Sequence, residues 1–254
     1  MKLLKAMAIA FSIYSKIPVP QFEWKEEDME YMMCFFPWIG GVIGMFFFGW
    51  AVLCEKFAVG NVCYALIGAA IPLMISGGFH VDGYMDTMDA FHSYQSREKK
   101  LEILKDSHIG AFAAIMLALY YMIDIAAISE IHTQKAVSAV AAVFFLARCF
   151  SGIAVMTLQP AKKEGLLYTF ASSAQKVRVK AALYFQAALC VAIMLLVSGW
   201  YGAAAIGAAL LSFFYFKKKS YKELGGITGD TAGFFVTVCE AAAAAAVVVA
   251  GYFL

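Results

Sequence analysis

Long apolar runs, each near the thickness of a bilayer, alternate with short polar segments along almost the whole chain. A spanning helix needs about 20 mostly apolar residues. Seven segments meet that requirement: 33–54, 61–79, 109–130, 136–158, 180–199, 200–216 and 231–254. The fifth and sixth are joined by a tight Ser198-Gly199-Trp200-Tyr201-Gly202 turn, and the sixth is short enough to be tilted or partly re-entrant. The pattern predicts an all-α, polytopic membrane helix bundle. It shows no repeat and no linker, so residues 1–254 are expected to form a single domain. Ahead of the first span, Lys2 and Lys5 precede a short apolar run, with Lys16, Pro18 and Pro20 following directly and no small-residue cleavage site between. That arrangement predicts an uncleaved interfacial helix over residues 1–14.

Composition agrees with the pattern. The 254 residues are 63% hydrophobic and 15% charged, with mean hydropathy +0.75, whereas soluble domains are about half apolar and a quarter charged. A net charge of +2 carries no nucleic-acid signal. The 6 cysteines are scattered without a Cys-x-x-Cys pair, so neither zinc nor a disulfide framework is implied. The basic residues are strongly partitioned. Alternating the seven spans places 17 of the 20 lysines and arginines on the side of the N-terminal segment and of the loops 80–108, 159–179 and 217–230. Lys56 and Lys135 stand on the other side, and Arg148 lies within a span. The positive-inside rule then predicts a cytoplasmic N-terminus and a C-terminus on the far side.

The polar chemistry collects on that same side. Residues 77–110 hold six of the 18 acidic residues. Within them Asp82, Asp86 and Asp89 fall in an arc of about 60° on a helix. Aspartates favour first helical turns, which accounts for one or two of them. Three on one face repel each other and suit a hard cation, with Mg²⁺ the best fit. His80, two residues before Asp82, is a candidate metal ligand, general base or phosphate donor, or else an interfacial histidine. Lys105-Asp106-Ser107-His108 opens the third span, where Asp106 or Ser107 can cap the helix and its free N–H groups can receive a phosphate. Gly225-Gly226-Ile227-Thr228-Gly229-Asp230 opens the last span. Its glycines allow close backbone approach to an anion, and Asp230 is a cap or a further carboxylate for the metal. Lys162 and Lys163, beside Glu164-Gly165, are candidates for phosphate binding. Asp124, Arg148 and Glu240 lie inside spans, where a charge must face protein or water; Arg148 can pair with Asp124 or Glu240, or touch substrate. Polar groups gathered at one rim favour a membrane-bound transferase over a transporter, which more often holds them near the midplane.

Five segments in order resemble the cobalamin synthase family, the adenosylcobinamide-GDP ribazoletransferases: Ile17 to Pro20, Phe35 to Gly40, Gly77 to Ala90, Arg97 to Gly110 and Gly225 to Asp230. The middle pair, His-x-Asp-Gly-x-x-Asp-Thr-x-Asp followed by Lys-Asp-Ser-x-Ile-Gly, is the most specific. The chain departs from the family's usual pattern at His108, where Arg is usual, and at Ala161 to Gly165, where Ala-Arg-x-Glu-Gly is usual. The resemblance implies a Mg²⁺-dependent transfer in a bacterial cytoplasmic membrane. Adenosylcobinamide-GDP and α-ribazole, or its 5′-phosphate, would give adenosylcobalamin, or its 5′-phosphate, and GMP. On that reading Asp82, Asp86, Asp89 and Asp230 are the expected metal ligands, and Asp82, Asp86 and His80 the expected catalytic groups. The expected substrate and phosphate contacts are Lys105, Asp106, Ser107, His108, Arg148, Lys162, Gly225, Gly226, Thr228 and Gly229. A homo-oligomer or an assembly with pathway enzymes stays open. So do two other classes, a CDP-alcohol phosphatidyltransferase-like enzyme and a small-molecule transporter.

Overall fold

A computed structural model describes residues 2–20, 23, 25–162 and 166–253. Every described element is a helix: α1 (Lys2–Tyr14), α2 (Phe36–Lys56), α3 (Asn61–Ser76), α4 (Phe79–His92), α5 (Arg97–Ile103), α6 (Ala111–Ile128), α7 (Gln134–Thr157), α8 (Leu166–Ser173), α9 (Lys176–Ser198), α10 (Trp200–Leu224) and α11 (Gly229–Gly251). Two short 3-10 turns, Glu26–Met29 and Met32–Cys34, lead into α2. A helix stands at each of the seven segments expected to span. Five of them, α2, α6, α7, α9 and α11, are long and apolar enough to cross a membrane. The number rises to six if α3 and α4 count as one broken span.

The second expected span is shorter than its apolar run. It ends at Ser76 because Gly77 and Gly78 both take positive φ, +67° and +84°, the left-handed region that an L side chain enters at a cost. The chain leaves α4 turned 96° from α3, and we read α4 as lying at the membrane boundary, outside the spans. The helix at the sixth expected span runs past the short apolar segment, and α10 is not among the five candidate spans. α10 runs 25 residues, through Lys217, Lys218, Lys219 and Lys222 to Leu224. Lysine is a good helix former, and a Lys219–Glu223 pair at 3.1 Å supports the polar end. Gly225, at φ +76°, terminates it.

α7 is the central helix, with most of its surface buried against α2, α9, α10 and α11. Lipid-facing helices have no hydrophobic drive to associate with one another, so close backbone packing must hold them. α2 supplies it with Gly40 and Gly44, one turn apart. A Cβ at Gly40 would overlap the Phe144 carbonyl, and one at Gly44 the Ala141 carbonyl. At the other edge Gly202 lies against the Met194 carbonyl, closing the α9–α10 hairpin. The outer faces are apolar: Leu196 is 85% exposed and Met122 71%, as expected of surfaces that meet acyl chains. Buried within the bundle, Arg148 donates to Glu240 Oε1 and to the Phe144 carbonyl, each at 2.7 Å.

Substituting Gly44 by Leu drives a side chain into the α7 backbone. The expected result is a loss of about 1–3 kcal/mol or more, read as a lower unfolding midpoint in denaturing detergent, while Gly49→Leu, with open space at its Cβ position, leaves the midpoint near that of the parent.

Candidate active site at one end of the bundle

The ends of α1, α3, α7 and α10 and the starts of α2, α4 and α11 meet at one end of the bundle. Two loops are joined there by backbone. Ala161 N–H donates to the Ile227 carbonyl at 2.8 Å, and Ile227 N–H donates to the Gln159 carbonyl at 3.0 Å, a short parallel bridge. Gly226 makes this possible, since a Cβ there would fall 2.5 Å from the Gln159 carbonyl oxygen. The pairing carries Lys162 to the mouth of a cavity that Asp230 also lines.

Two glycines hold α4 against α11. A Cβ on Gly83 would lie 2.8 Å from the Asp230 carbonyl oxygen and 2.9 Å from its Cα. One on Gly233 would lie 3.0 Å from the His80 carbonyl oxygen, which also accepts a 3.2 Å hydrogen bond from the Thr237 hydroxyl. This contact sets Asp82 and Asp86, on either side of Gly83, beside Asp230. Their mutual repulsion is visible in Asp86. Burial first, then the charges of Asp82, Asp230 and Asp89, push its pKa up to about 7. Among the described residues no group of three or more His, Cys, Asp or Glu side chains is arranged to hold a metal ion by itself.

A cavity of ≈ 230 Å³ opens beside these groups. Asp82, Lys162, Gly229 and Asp230 stand on its polar side; Tyr14, Phe36, Val155 and Ser151 help to wall the rest. Thr228 caps α11, accepting from Thr231 N–H at 3.1 Å, so the positive end of that helix adjoins the cavity. Open space lies before Gly229. A larger cavity of ≈ 400 Å³ sits at the opposite end of the bundle, around Glu55, Asn61, Tyr64 and His132, and holds none of the expected site residues.

The other expected residues are placed differently. Asp89 caps α6 from a distance: its carboxylate accepts Gly110 N–H at 2.7 Å and Ala113 N–H at 2.8 Å. Neither Asp106 nor Ser107 caps that helix, which starts only at Ala111. Asp106 instead accepts from the His108 backbone and ring, the ring contact at 2.6 Å, and this pairing raises the His108 pKa and lowers that of Asp106. Lys105, Asp106, Ser107 and His108 are exposed on the α5–α6 loop, away from the cavity-lining set. Gly225 is the α10 terminator and packs under the Arg97 guanidinium. Arg148 is given to Glu240 rather than to the cavity. Lys163, Glu164 and Gly165 lie outside the described residues. His80 is brought to the cavity, but among rings: its ring centroid is 5.6 Å from Phe36, 5.7 Å from Phe79 and 6.1 Å from Tyr14. Burial, with the Arg148 charge second, holds its pKa well below that of a free imidazole. Tyr14 and Ser151 went unseen in the sequence, and Phe36 stood in a matched segment without a role, because they come from α1, α7 and α2 and resemble ordinary core residues there.

A membrane helix bundle with facing aspartates, a lysine and a helix N-terminus around one cavity is the architecture of a membrane-bound transferase acting on phosphorylated substrates. Comparison makes the class specific. Residues 6–248 match the cobalamin-5-phosphate synthase family. An adenosylcobinamide-GDP ribazoletransferase of Lachnoclostridium phytofermentans is 44% identical over 250 residues, covering 98% of this chain and 95% of that protein. Proteins of the same name from Clostridium botulinum and Fusobacterium nucleatum are 30% and 26% identical, covering 94% and 92% of this chain and 94% of each relative. No solved structure matches. The chain belongs to the cobalamin-5-phosphate synthase family, which sets aside the CDP-alcohol transferase and transporter readings.

Two outcomes follow from the α4–α11 contact. Gly83→Ala should lower both the thermal midpoint in detergent and turnover, because the added methyl must push α4 off α11. In metal-free protein Asp86 binds its proton more tightly folded than unfolded, so its contribution to stability falls as pH rises from about 4 to 7. Asp86→Asn, assayed in EDTA, should therefore raise the midpoint at pH 8 by a few degrees and leave it nearly unchanged at pH 4.

Proposed function

We propose that this chain transfers the adenosylcobinamide-phosphate group of adenosylcobinamide-GDP to the ribose 3′-hydroxyl of α-ribazole or its 5′-phosphate, releasing GMP. The observation that carries this reading is the α4–α11 contact at Gly83, which sets Asp82 and Asp86 near Asp230, with Asp82, Asp230 and Lys162 lining one cavity. The hydroxyl oxygen forms a bond to the phosphorus next to the cobinamide arm, and the bond from that phosphorus to the GMP phosphate breaks. A phosphoanhydride is exchanged for a phosphodiester, so no further energy source enters. The site must place three groups in line and balance negative charge.

The donor set suits Mg²⁺. It is all oxygen, and Mg²⁺ is usually held by one or two carboxylates together with substrate phosphates and retained water, without a complete protein cage. Asp82, Asp86 and Asp230 would hold it. Bound there, it supplies neutralisation of the pyrophosphate and of the departing GMP. Lys162, near Asp230, adds a positive charge, and the start of α11 at Gly229 offers N–H groups and a positive dipole end to phosphate oxygens. A carboxylate of the cluster accepts the hydroxyl proton. Asp89 contributes by fixing the start of α6. The excess of lysine and arginine on this side of the bundle supports a bacterial cytoplasmic membrane with the site facing the cytoplasm.

Purified protein given adenosylcobinamide-GDP, α-ribazole and Mg²⁺ should release GMP and a cobalamin in equal amounts. Asp82→Asn should lower kcat on the order of 10³-fold while the protein still inserts. EDTA should abolish turnover and added Mg²⁺ restore it. Full turnover in either condition removes the metal or Asp82 from the mechanism.

A further inference from the structure

The inner part of the cavity is unlike its mouth. Asp82, Lys162 and Asp230 are charged, whereas Tyr14, Phe36, Phe79, Met33 and Val155 stand around His80, and Ser151 and Thr228 add hydroxyl groups to the lining. His80 is 5% exposed, and among the described residues neither of its ring nitrogens has a hydrogen-bond partner. A buried polar atom left unpaired costs about 1–3 kcal/mol, so its retention in an aromatic recess calls for a partner. Phe36 and Phe79 present themselves to His80 nearly edge-on, at 86° and 78°, leaving a slot bounded by ring edges and faces.

Resting on the reaction proposed above, we infer that this recess binds the heteroaromatic base of the nucleoside acceptor, with His80 donating the hydrogen bond that orients it. Chemistry separates the two bases the reaction brings. A benzimidazole joined to ribose through one nitrogen keeps a single polar atom, its other ring nitrogen, which is an acceptor. One N–H from a neutral imidazole satisfies it, and the remaining surface is apolar and flat, matched to ring edges and faces. Guanine carries several donors and acceptors around its rim. Burying them against Tyr14, Met33, Phe36 and Phe79 would leave most unpaired, so the guanine side of the donor belongs at the open, charged mouth. With the base seated by His80, the ribose is directed outward toward Asp82 and Asp230, where the hydroxyl must attack. His80 is thus a positioning and specificity residue.

Steady-state kinetics on the full-length protein in detergent test this. His80→Phe should raise KM for α-ribazole on the order of 10-fold, leaving KM for adenosylcobinamide-GDP unchanged and kcat changed by less than about threefold. His80→Gln, which keeps an N–H donor, should recover most of the acceptor affinity. Val155→Phe, which narrows the recess and keeps the His80 side chain, should raise KM more for the 5,6-dimethylbenzimidazole nucleoside than for the unsubstituted benzimidazole nucleoside. Val155→Phe also decides the matter if His80→Phe fails to fold. A rise in KM for adenosylcobinamide-GDP alone, or unchanged acceptor KM in the folded variants, overturns the assignment. Absence of GMP release by the unmodified protein with both substrates would instead overturn the underlying reaction.

Discussion

The approach of α4 to α11 is the constraint on which the site depends. Gly83 and Gly233 let two helix backbones touch where any side chain would hold them apart. Two aspartates of α4 and one of α11 thereby come close together, and burial with the charges of its neighbours raises the proton affinity of Asp86. Such repulsion opposes folding. It is tolerated because packing elsewhere, above all of α7 against α2, α9 and α11, sets the frame on which α4 and α11 are fastened. That electrostatic load is what the proposed cation would relieve.

The same bundle handles charge in two ways. Deep in the apolar interior Arg148 and Glu240 neutralise each other at 2.7 Å, and the guanidinium takes a helix carbonyl as well; a lone charge at that depth would be prohibitive. At the bundle end the charges are left partly uncompensated, with Asp82 exposed and Lys162 lining the same cavity. Between the two lies His80, neutral and ringed by aromatic side chains. The gradient from paired, to neutral, to unpaired charge is what divides the cavity into an apolar recess and a polar mouth, and it matches an acceptor whose base is apolar and whose reacting end is not.

Loops that look catalytic can be structural, and the reverse. Of three glycines between Gly225 and Gly229, one ends α10, one admits the Gln159–Ala161 backbone, and only Gly229 has open space before it. Asp89 belongs to the aspartate face in sequence, yet both its oxygens are engaged by N–H groups at the start of α6. Lys105 through His108 carry a distinctive motif and lie exposed on a loop.

The helical class, the apolar segments and the clustering of polar motifs at one side were legible in the sequence, because a bilayer demands apolar runs of set length and sorts basic residues by side. The aspartate face was legible because helical periodicity is local. The residues 200–216 could not be bounded, since lysines that leave the membrane still propagate a helix until Gly225 stops it. Whether Arg148 meets Glu240 or substrate, which oxygens Asp89 satisfies, and that Tyr14, Phe36 and Ser151 share a cavity with His80 were all matters of tertiary structure. Each depends on contacts between helices remote in sequence, and helix-to-helix packing is set by where small residues let backbones touch, a property that composition and periodicity along one strand of text do not encode.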